Sequence, residues 1–395
     1  LVFEDPPIVQ EKPGILKNCP QSTEKTRRVK IVTHFLVPVP TRSHDLPEFH
    51  SDPEEQFSEK TRQRVKSRNR TRTIIKQDRT MPPTAQRGTV ITAAGPQWVV
   101  SVENAEVFHI CTVSGTVDCP HIGSIVTVGD VVWITLDPDS GSEQGTIVRV
   151  EERRTVLSRK AAGRVQREQV FVANVDQLCI VMSTALPMYN KRLIDRYLIA
   201  ADKGNLEPII CINKMDLFAD EPDRNDIRSD FTAYQQLGIS CHFVSVQQPE
   251  GISELSAQLH GKLTLFSGPS GVGKSSLINV LTDSRQVVGA ISDKYLTGKH
   301  TTSAAILIPL AFGGSIIDSP GIRELAIWEL GAEELPFYFE EFMPFVSECR
   351  YSSCTHTHEP DCGVKKAVKD GKVDEERYIS YLNILESIKT PDLRA

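Results

Sequence analysis

Residues 263–283 read LTLFSGPSGVGKSSLINVLTD, and this stretch decides the fold. It opens on a short β-prone run and closes on a helical one. Between them lies Gly268-Pro269-Ser270-Gly271-Val272-Gly273-Lys274-Ser275. That is the G-x-x-x-x-G-K-[ST] pattern in a strand–loop–helix setting. The glycines let the backbone curl until its N–H groups point at phosphate oxygens, and the helix N-terminus adds partial positive charge. In this reading Lys274 reaches the β- and γ-phosphates, Ser275 offers its hydroxyl to Mg2+, and Ser276 completes the nucleotide-binding set.

Outward from this loop, over residues 169–330, the apolar runs LCIVMST, PIICI, CHFVSV, AILIPL and SIIDSPG alternate with helical stretches such as KRLIDRYLIAADKG. Such alternation predicts a parallel sheet flanked by helices. Asn213-Lys214-Met215-Asp216 follows the PIICI run. The Asp216 carboxylate suits the N1–H and exocyclic amine of guanine, a donor pair that adenine lacks. Asn213 can tie this loop to the phosphate loop, and the Lys214 stem can lie over the base. Ser245-Val246 sits where a second base-contacting loop is expected, with a backbone N–H toward the guanine O6. Asp318-Ser319-Pro320-Gly321 ends another apolar run. There Asp318 is expected to hold Mg2+ through water, and the Gly321 N–H to meet the γ-phosphate. The polar stretch Gly298-Lys299-His300-Thr301-Thr302 suits a mobile switch, with a Thr hydroxyl completing the Mg2+ shell in the triphosphate state.

The order of these motifs is permuted. In Ras-like GTPases the phosphate loop comes first; here the base-reading loops precede it. The segment after Gly321 therefore runs straight into the C-terminal region, so a nucleotide-dependent movement could pass to whatever residues 331–395 hold. Ile322 occupies the place where Ras-like enzymes carry a water-orienting Gln. An isoleucine cannot hydrogen-bond water, so slow intrinsic hydrolysis is expected unless another group substitutes. His300 is the local candidate.

Residues 88–152 show another texture. GTVITAAG, QWVVSV, EVFHICTV, SIVTVGDVVWITL and GTIVRVEE are short strand candidates, with a Gly-Asp turn inside the fourth. Five such strands predict a small closed barrel of SH3 or OB type, which either binds nucleic acid or acts as a spacer. Ahead of it, residues 1–59 carry a balance of −3 and residues 60–87 a balance of +9, within a chain of net charge −6. The first segment reads as disordered. The second, with KTRQRVKSRNRTR at 60–72, is either a solvated linker or a phosphate-binding arm.

The 395 residues suggest two or three domains. The longest apolar runs fall well short of the ~18 residues of a membrane span, and neither an integral membrane protein nor a secretory leader is expected. A start at Leu1 rather than Met is expected of a fragment or a processed form. Of the nine cysteines, only Cys349, Cys354 and Cys362 cluster. That is no disulfide framework and fits a reducing compartment. With His356 these three supply four ligands suited to tetrahedral Zn2+ in a structural role, and His358 competes for the fourth place. Helical patterns flank the cluster.

A barrel, a permuted nucleotide domain and a Cys/His element, in that order, resemble the RsgA (YjeQ) family of ribosome-associated GTPases. The resemblance covers about 88–390 and rests on GPSGVGKSSL, NKMD, GKHTT, DSPGIRE, the Cys/His cluster and VANVDQLCIV at 172–181. It implies a multidomain α/β protein: an N-terminal extension over 1–87 with its basic arm at 60–87, an OB-fold over 88–155, a circularly permuted GTPase domain over 165–330 and a helical zinc domain over 331–395. It also implies GTP hydrolysis stimulated by the small ribosomal subunit, late in that subunit's maturation, with contacts to its rRNA. By motif position the nucleotide and Mg2+ roles fall to Lys274, Ser275, Thr302, Asp318, Asn213 and Asp216, the zinc to Cys349, Cys354, His356 and Cys362, and hydrolysis to His300. The expected cofactors are GTP/GDP, Mg2+ and one structural Zn2+, and the expected state is a monomer. Ser245-Val246 departs from the family's Ser-Ala loop. The long N-terminal region points to a eukaryotic organellar member, in the chloroplast stroma first and the mitochondrial matrix second. Two other functions compete: a translation regulator whose nucleotide domain only senses, and a P-loop kinase or ATPase, against which Asp216 argues.

Overall fold

Closure of the barrel comes from five strands: β1 (Gln86–Ala94), β2 (Gln97–Val102), β3 (Phe108–Asp118), β4 (Val131–Leu136) and β5 (Gln144–Val150). The computed structural model describes residues 81–103, 107–119, 125–137, 143–160, 168–218, 220–248, 250–282, 305–318 and 330–389. The expectations for residues 1–80, and those for His300, Thr302, Gly321 and Ile322, lie outside the described residues. Every described residue belongs to one compact unit, Thr73–Ala395.

The barrel strands pair in the order β1-β2-β3-β5-β4 and back to β1, with β3 and β5 parallel and the rest antiparallel. This is the OB arrangement rather than the SH3 one. Val90, Val100, Cys111, Val132, Ile134 and Ile147 fill its interior. The fourth strand candidate, 124–136, breaks at the expected Gly-Asp turn, and of the two β-rich stretches beside that turn only Val131–Leu136 forms a strand of the barrel. Gly129 turns the chain at φ +86°, where a Cβ would lie 2.1 Å from Ala173 O. The next residue, Asp130, is fully buried; it accepts Arg153 Nε and Nη2 at 2.7 and 2.8 Å and the Thr127 N–H at 2.7 Å. Those bonds fix a tight corner where a ladder would otherwise continue, leaving Val128 one isolated bridge to Val172.

A two-stranded pair follows, β6 (Val156–Lys160) with β7 (Glu168–Ala173), which the sequence reading did not anticipate. Then come β8 (Gln177–Ser183), α1 (Lys191–Gly204), β9 (Glu207–Asn213), α2 (Glu221–Ser229), α3 (Thr232–Gln236), β10 (Ser240–Phe243), α4 (Ile252–Leu259), β11 (Leu263–Ser267), α5 (Lys274–Leu281), β12 (Ile306–Pro309) and β13 (Ser315–Asp318). Strands β10-β9-β8-β11-β13 are parallel neighbours in that order. Every residue of β8 is buried, as expected of a strand covered on both faces. Helix α1 starts at Asn190, whose side chain accepts the Leu193 N–H at 3.2 Å, and stops at Asn205 in the left-handed region. It buries Ile194, Tyr197 and Ala201 against the sheet.

The sheet is not purely parallel. β12 runs antiparallel to β13, and its other edge meets β1 at the single register Thr92↔Ile306. Thr92 Oγ1 also donates to Ala305 O at 2.9 Å. One eleven-stranded sheet thus passes from the nucleotide half into the barrel.

The C-terminal part has 3-10 turns at Leu335–Tyr338 and Glu340–Phe342, then α6 (Met343–Val346), α7 (Gly363–Lys369) and α8 (Glu375–Lys389). Its core is built on Leu335, Phe339, Phe342, Val364, Tyr381 and Ile384. Arg377 of α8 reaches Asp195 of α1 and donates to Glu341 Oε1 at 2.7 Å. Tyr234 Oη also donates to Asp195, at 2.9 Å. Asp195 is 1% exposed and Arg377 5%. The guanidinium lies 4.7 Å from the Phe339 ring centroid.

Candidate nucleotide site and metal centre

Sheet order brings the motifs together. β11 delivers the phosphate loop, its neighbour β8 delivers residues 184–190, and β9 beyond it delivers Asn213–Asp216. On the other side, the register Phe266↔Asp318 places Asp318 beside the strand that leads into the phosphate loop. Ser275 and Ser276 lie exposed in the first turn of α5.

The loop needs its glycines. Gly268, Gly271 and Gly273 have φ of +149°, +84° and +92°. A Cβ on Gly268 would lie 2.0 Å from Val181 O, and one on Gly273 2.4 Å from Asn213 Nδ2. Val272 is buried, while Pro269 is half-buried and Ser270 exposed. Lys274 Nζ arches back over the loop to Gly268 O at 2.8 Å and Pro269 O at 2.7 Å. The curled, side-chain-free backbone and this ammonium fit a polyphosphate.

Asn213 is 2% exposed, and its Nδ2 donates to Val272 O at 2.9 Å. This is the tie between base-reading and phosphate loops that the sequence anticipated. Its Oδ1 accepts the Lys214 N–H at 2.8 Å. Lys214, at φ +67°, donates from Nζ to Ala185 O, Leu186 O and Gly271 O at 3.2, 2.5 and 2.7 Å, which ties it to residues 185–186 and to the phosphate loop. Ser245 is buried, and its Oγ donates to Asp216 Oδ1 at 2.6 Å. Its own N–H is taken by Glu250 O at 3.1 Å, so the Ser245 amide does not face the base. Its neighbour Val246 is half-buried and packs on the core. Thr184, which sequence reasoning missed, clamps the same loop from β8. Its N–H donates to Asn213 O at 3.0 Å and its Oγ1 to Lys214 O at 2.8 Å. A lone threonine after an apolar run carries no pattern that could have revealed it.

The metal set lies in the C-terminal part. Ligand atoms of Cys349, Cys354, His356 and Cys362 all fall within 4.8 Å of one another. Cys349 Sγ lies 3.8 Å from Cys362 Sγ, and His356 Nδ1 lies 3.6 and 3.5 Å from those two sulfurs. With Zn–S about 2.3 Å and Zn–N about 2.05 Å, a tetrahedron has S–S edges of about 3.8 Å and S–N edges of about 3.6 Å. The donors fit that ion. Burial pushes the His356 pKa down, favouring the neutral imidazole that ligates. Burial pushes the Cys354 thiol up to about 12, against the thiolate that a cation would stabilise.

His358 is not part of the set. It is exposed, and its Nδ1 pairs with Thr357 Oγ1 at 2.9 Å. His356, at φ +56°, is turned inward. Tyr378 and Tyr381 hydroxyls hold His356 O and Thr355 O at 2.7 and 2.6 Å. Glu359 braces the ligand loop through Thr355 and Thr357; although burial opposes its charge, the Thr355 and Thr357 hydrogen bonds hold its pKa down to about 2. Cys362 also caps α7, accepting the Lys365 N–H.

Comparison with known proteins places these features in a family. A family model described as RsgA GTPase matches residues 150–328. The small ribosomal subunit biogenesis GTPase RsgA of Chlorobaculum parvum is 39% identical over 307 residues, 76% of this chain and 97% of that protein. Among solved structures, YjeQ from Thermotoga maritima aligns with a TM-score of 0.61 at 32% identity, over 77% of this chain and 99% of that one. YloQ, described as a circularly permuted GTPase, aligns with a TM-score of 0.60 at 27% identity, over 80% of this chain and all of that one. With the permuted motif order, the barrel ahead of it and the Cys/His centre behind it, the chain belongs to the RsgA GTPase family.

Proposed function

We propose that this protein hydrolyses GTP on the small ribosomal subunit, late in the subunit's maturation, and is released by that hydrolysis. The observation that carries the reading is the Asn213–Val272 bond, which locks an N-K-x-D loop onto a phosphate loop in permuted order. The relative named for small-subunit biogenesis supplies the setting.

The residues divide the work. Asp216 reads the guanine N1–H and amine, with Asn213 and Lys214 holding its loop. The backbone of 268–273, with Lys274, takes the phosphates. Ser275, Thr302 and, through water, Asp318 hold Mg2+, which neutralises charge developing on the phosphoryl oxygens. The Gly321 N–H meets the γ-phosphate, and His300 orients the attacking water. One Zn2+ on Cys349, Cys354, His356 and Cys362 stabilises the C-terminal part. The barrel and the basic arm at 60–87 contact rRNA, and the protein acts as a monomer. A plastid is the first compartment to test and a mitochondrion the second, because the long N-terminal segment lies ahead of the barrel.

GTP turnover with and without purified small subunits, with ATP as the control nucleotide, tests the reading. Strong stimulation by small subunits alone supports it. GTP binding without stimulation by the matching organellar subunit favours a nucleotide-sensing regulator, and preference for ATP removes the guanine reading.

A further inference from the structure

The two base-reading loops are joined by more than one serine. The Ser245 N–H donates to Glu250 O at 3.1 Å, and the two residues form an isolated bridge. The Glu250 carboxylate takes Arg224 Nη1 at 2.9 Å on one oxygen and Arg228 Nη2 at 3.2 Å on the other. Arg224 Nε donates at 2.8 Å to Phe218 O, two residues beyond Asp216. The contacts close a ring: Asp216 along the chain to Phe218, across Arg224 to Glu250, across the bridge to Ser245, and by the 2.6 Å Oγ bond back to Asp216. The Arg224 side chain is 13% exposed, against 34% for Arg228, so Arg224 is the more enclosed of the two.

We infer that Arg224 is a positioning residue for guanine recognition, holding the Asp216 carboxylate at the angle that lets both oxygens meet the base edge. The inference rests on the GTP reading above. The hydrogen bonds of Arg224 go to Phe218 and Glu250, and it acts on Asp216 through them. A planar guanidinium can donate to a carbonyl and a carboxylate at fixed angles at once, which a lysine ammonium cannot reproduce. Loosening the ring therefore degrades contacts to the base edge more than contacts to the phosphates, which lie on the loop after β11.

The test is competitive binding of GDP, IDP and ADP to the full chain. IDP keeps the N1–H but lacks the exocyclic amine, so the GDP/IDP affinity ratio reports the alignment of Asp216. A hydrogen bond from that amine to a carboxylate predicts a wild-type ratio of about 10 to 100. In Arg224→Gln and Arg224→Lys the ratio should shrink by about fivefold or more, because a misaligned charged hydrogen bond loses most of its strength. Glu250→Gln should move it the same way. Glu221→Gln, which alters an exposed partner of the arginines outside the ring, should leave the ratio as it is. An unmoved ratio in both Arg224 variants, or equal weakening of GDP and IDP, overturns the inference while leaving GTP binding intact. A wild type that does not prefer GDP over ADP overturns the guanine reading itself.

Discussion

Replacing Arg377 by methionine removes a buried charge while keeping most of the side chain's bulk beside Phe339 and Tyr234. Asp195, 1% exposed, would lose the guanidinium that offsets its burial, and Glu341 would lose the same partner. Removing one member of a buried ion pair costs about 3–5 kcal/mol. Because the pair joins α8 to α1, that cost falls on the attachment of the C-terminal part to the nucleotide half. If the attachment opens locally, amide exchange in both helices should accelerate on the order of 10²- to 10³-fold at pH 7. Hydrogen-exchange mass spectrometry of peptides covering Lys191–Gly204 and Glu375–Lys389 reads this directly, after correction for intrinsic rates. The pH dependence has a definite sign. Burial already raises the Asp195 pKa, with Arg377 opposing it, and loss of Arg377 raises it further. A carboxyl with a raised folded pKa holds its proton more tightly when folded. The variant's attachment should thus be firmest below the unfolded value of about 3.9 and weaken as pH rises through the folded value. Asp195→Asn, which leaves Arg377 paired with Glu341, should cost less. An acceleration below tenfold in the Arg377 variant, or a loss that shrinks as pH rises, would refute the reasoning.

Three further outcomes are expected. Gly273→Ala combines about 1–2 kcal/mol of left-handed backbone strain with a Cβ that displaces the Asn213 amide, so affinity for a fluorescent GDP should fall at least about tenfold. Wild-type affinity would show that the loop relaxes at no cost to binding. Cys362→Ser should take bound zinc, measured by elemental analysis, from about one ion per chain toward zero and lower helical circular dichroism, since this residue is both ligand and cap of α7. Full zinc content in the variant would remove Cys362 from the ligand set. His300→Ala should slow GTP hydrolysis by about 10²- to 10⁴-fold with little change in GDP affinity, and an unchanged rate would remove the role proposed for it.

What could be read from the sequence was what is contiguous. The phosphate loop, Asn213–Asp216 and the Cys/His set each depend on residues a few positions apart, and β8 is apolar from Leu178 to Met182 because both of its faces are covered. The barrel was legible as a count of strands; its pattern left SH3 and OB closure open, because the choice depends on β3 meeting β5 in parallel, and only the family resemblance named OB. Pairs distant in the chain left no trace. Thr92 and Ala305 are 213 positions apart, and a single register joins their strands. Asp130, Arg153, Asp195 and Arg377 carry charges that read as surface, yet each is buried because its partner is supplied by another element. Spacing left His356 and His358 competing. The backbone decides between them by turning His356 inward at φ +56° and leaving His358 exposed.

The permuted order also sets a schedule for synthesis. The bond from Asn213 to Val272 spans 59 residues, with the base-reading partner made first. A growing chain carries β8, β9 and β10 before β11 exists, so β8 is paired on the β9 side while its other edge waits for a strand still to be translated. An apolar strand with an open edge invites pairing with a neighbouring chain. Nucleotide cannot protect that interval, since the phosphate loop follows β11. The open edge of β8 therefore lasts until β11 has been made.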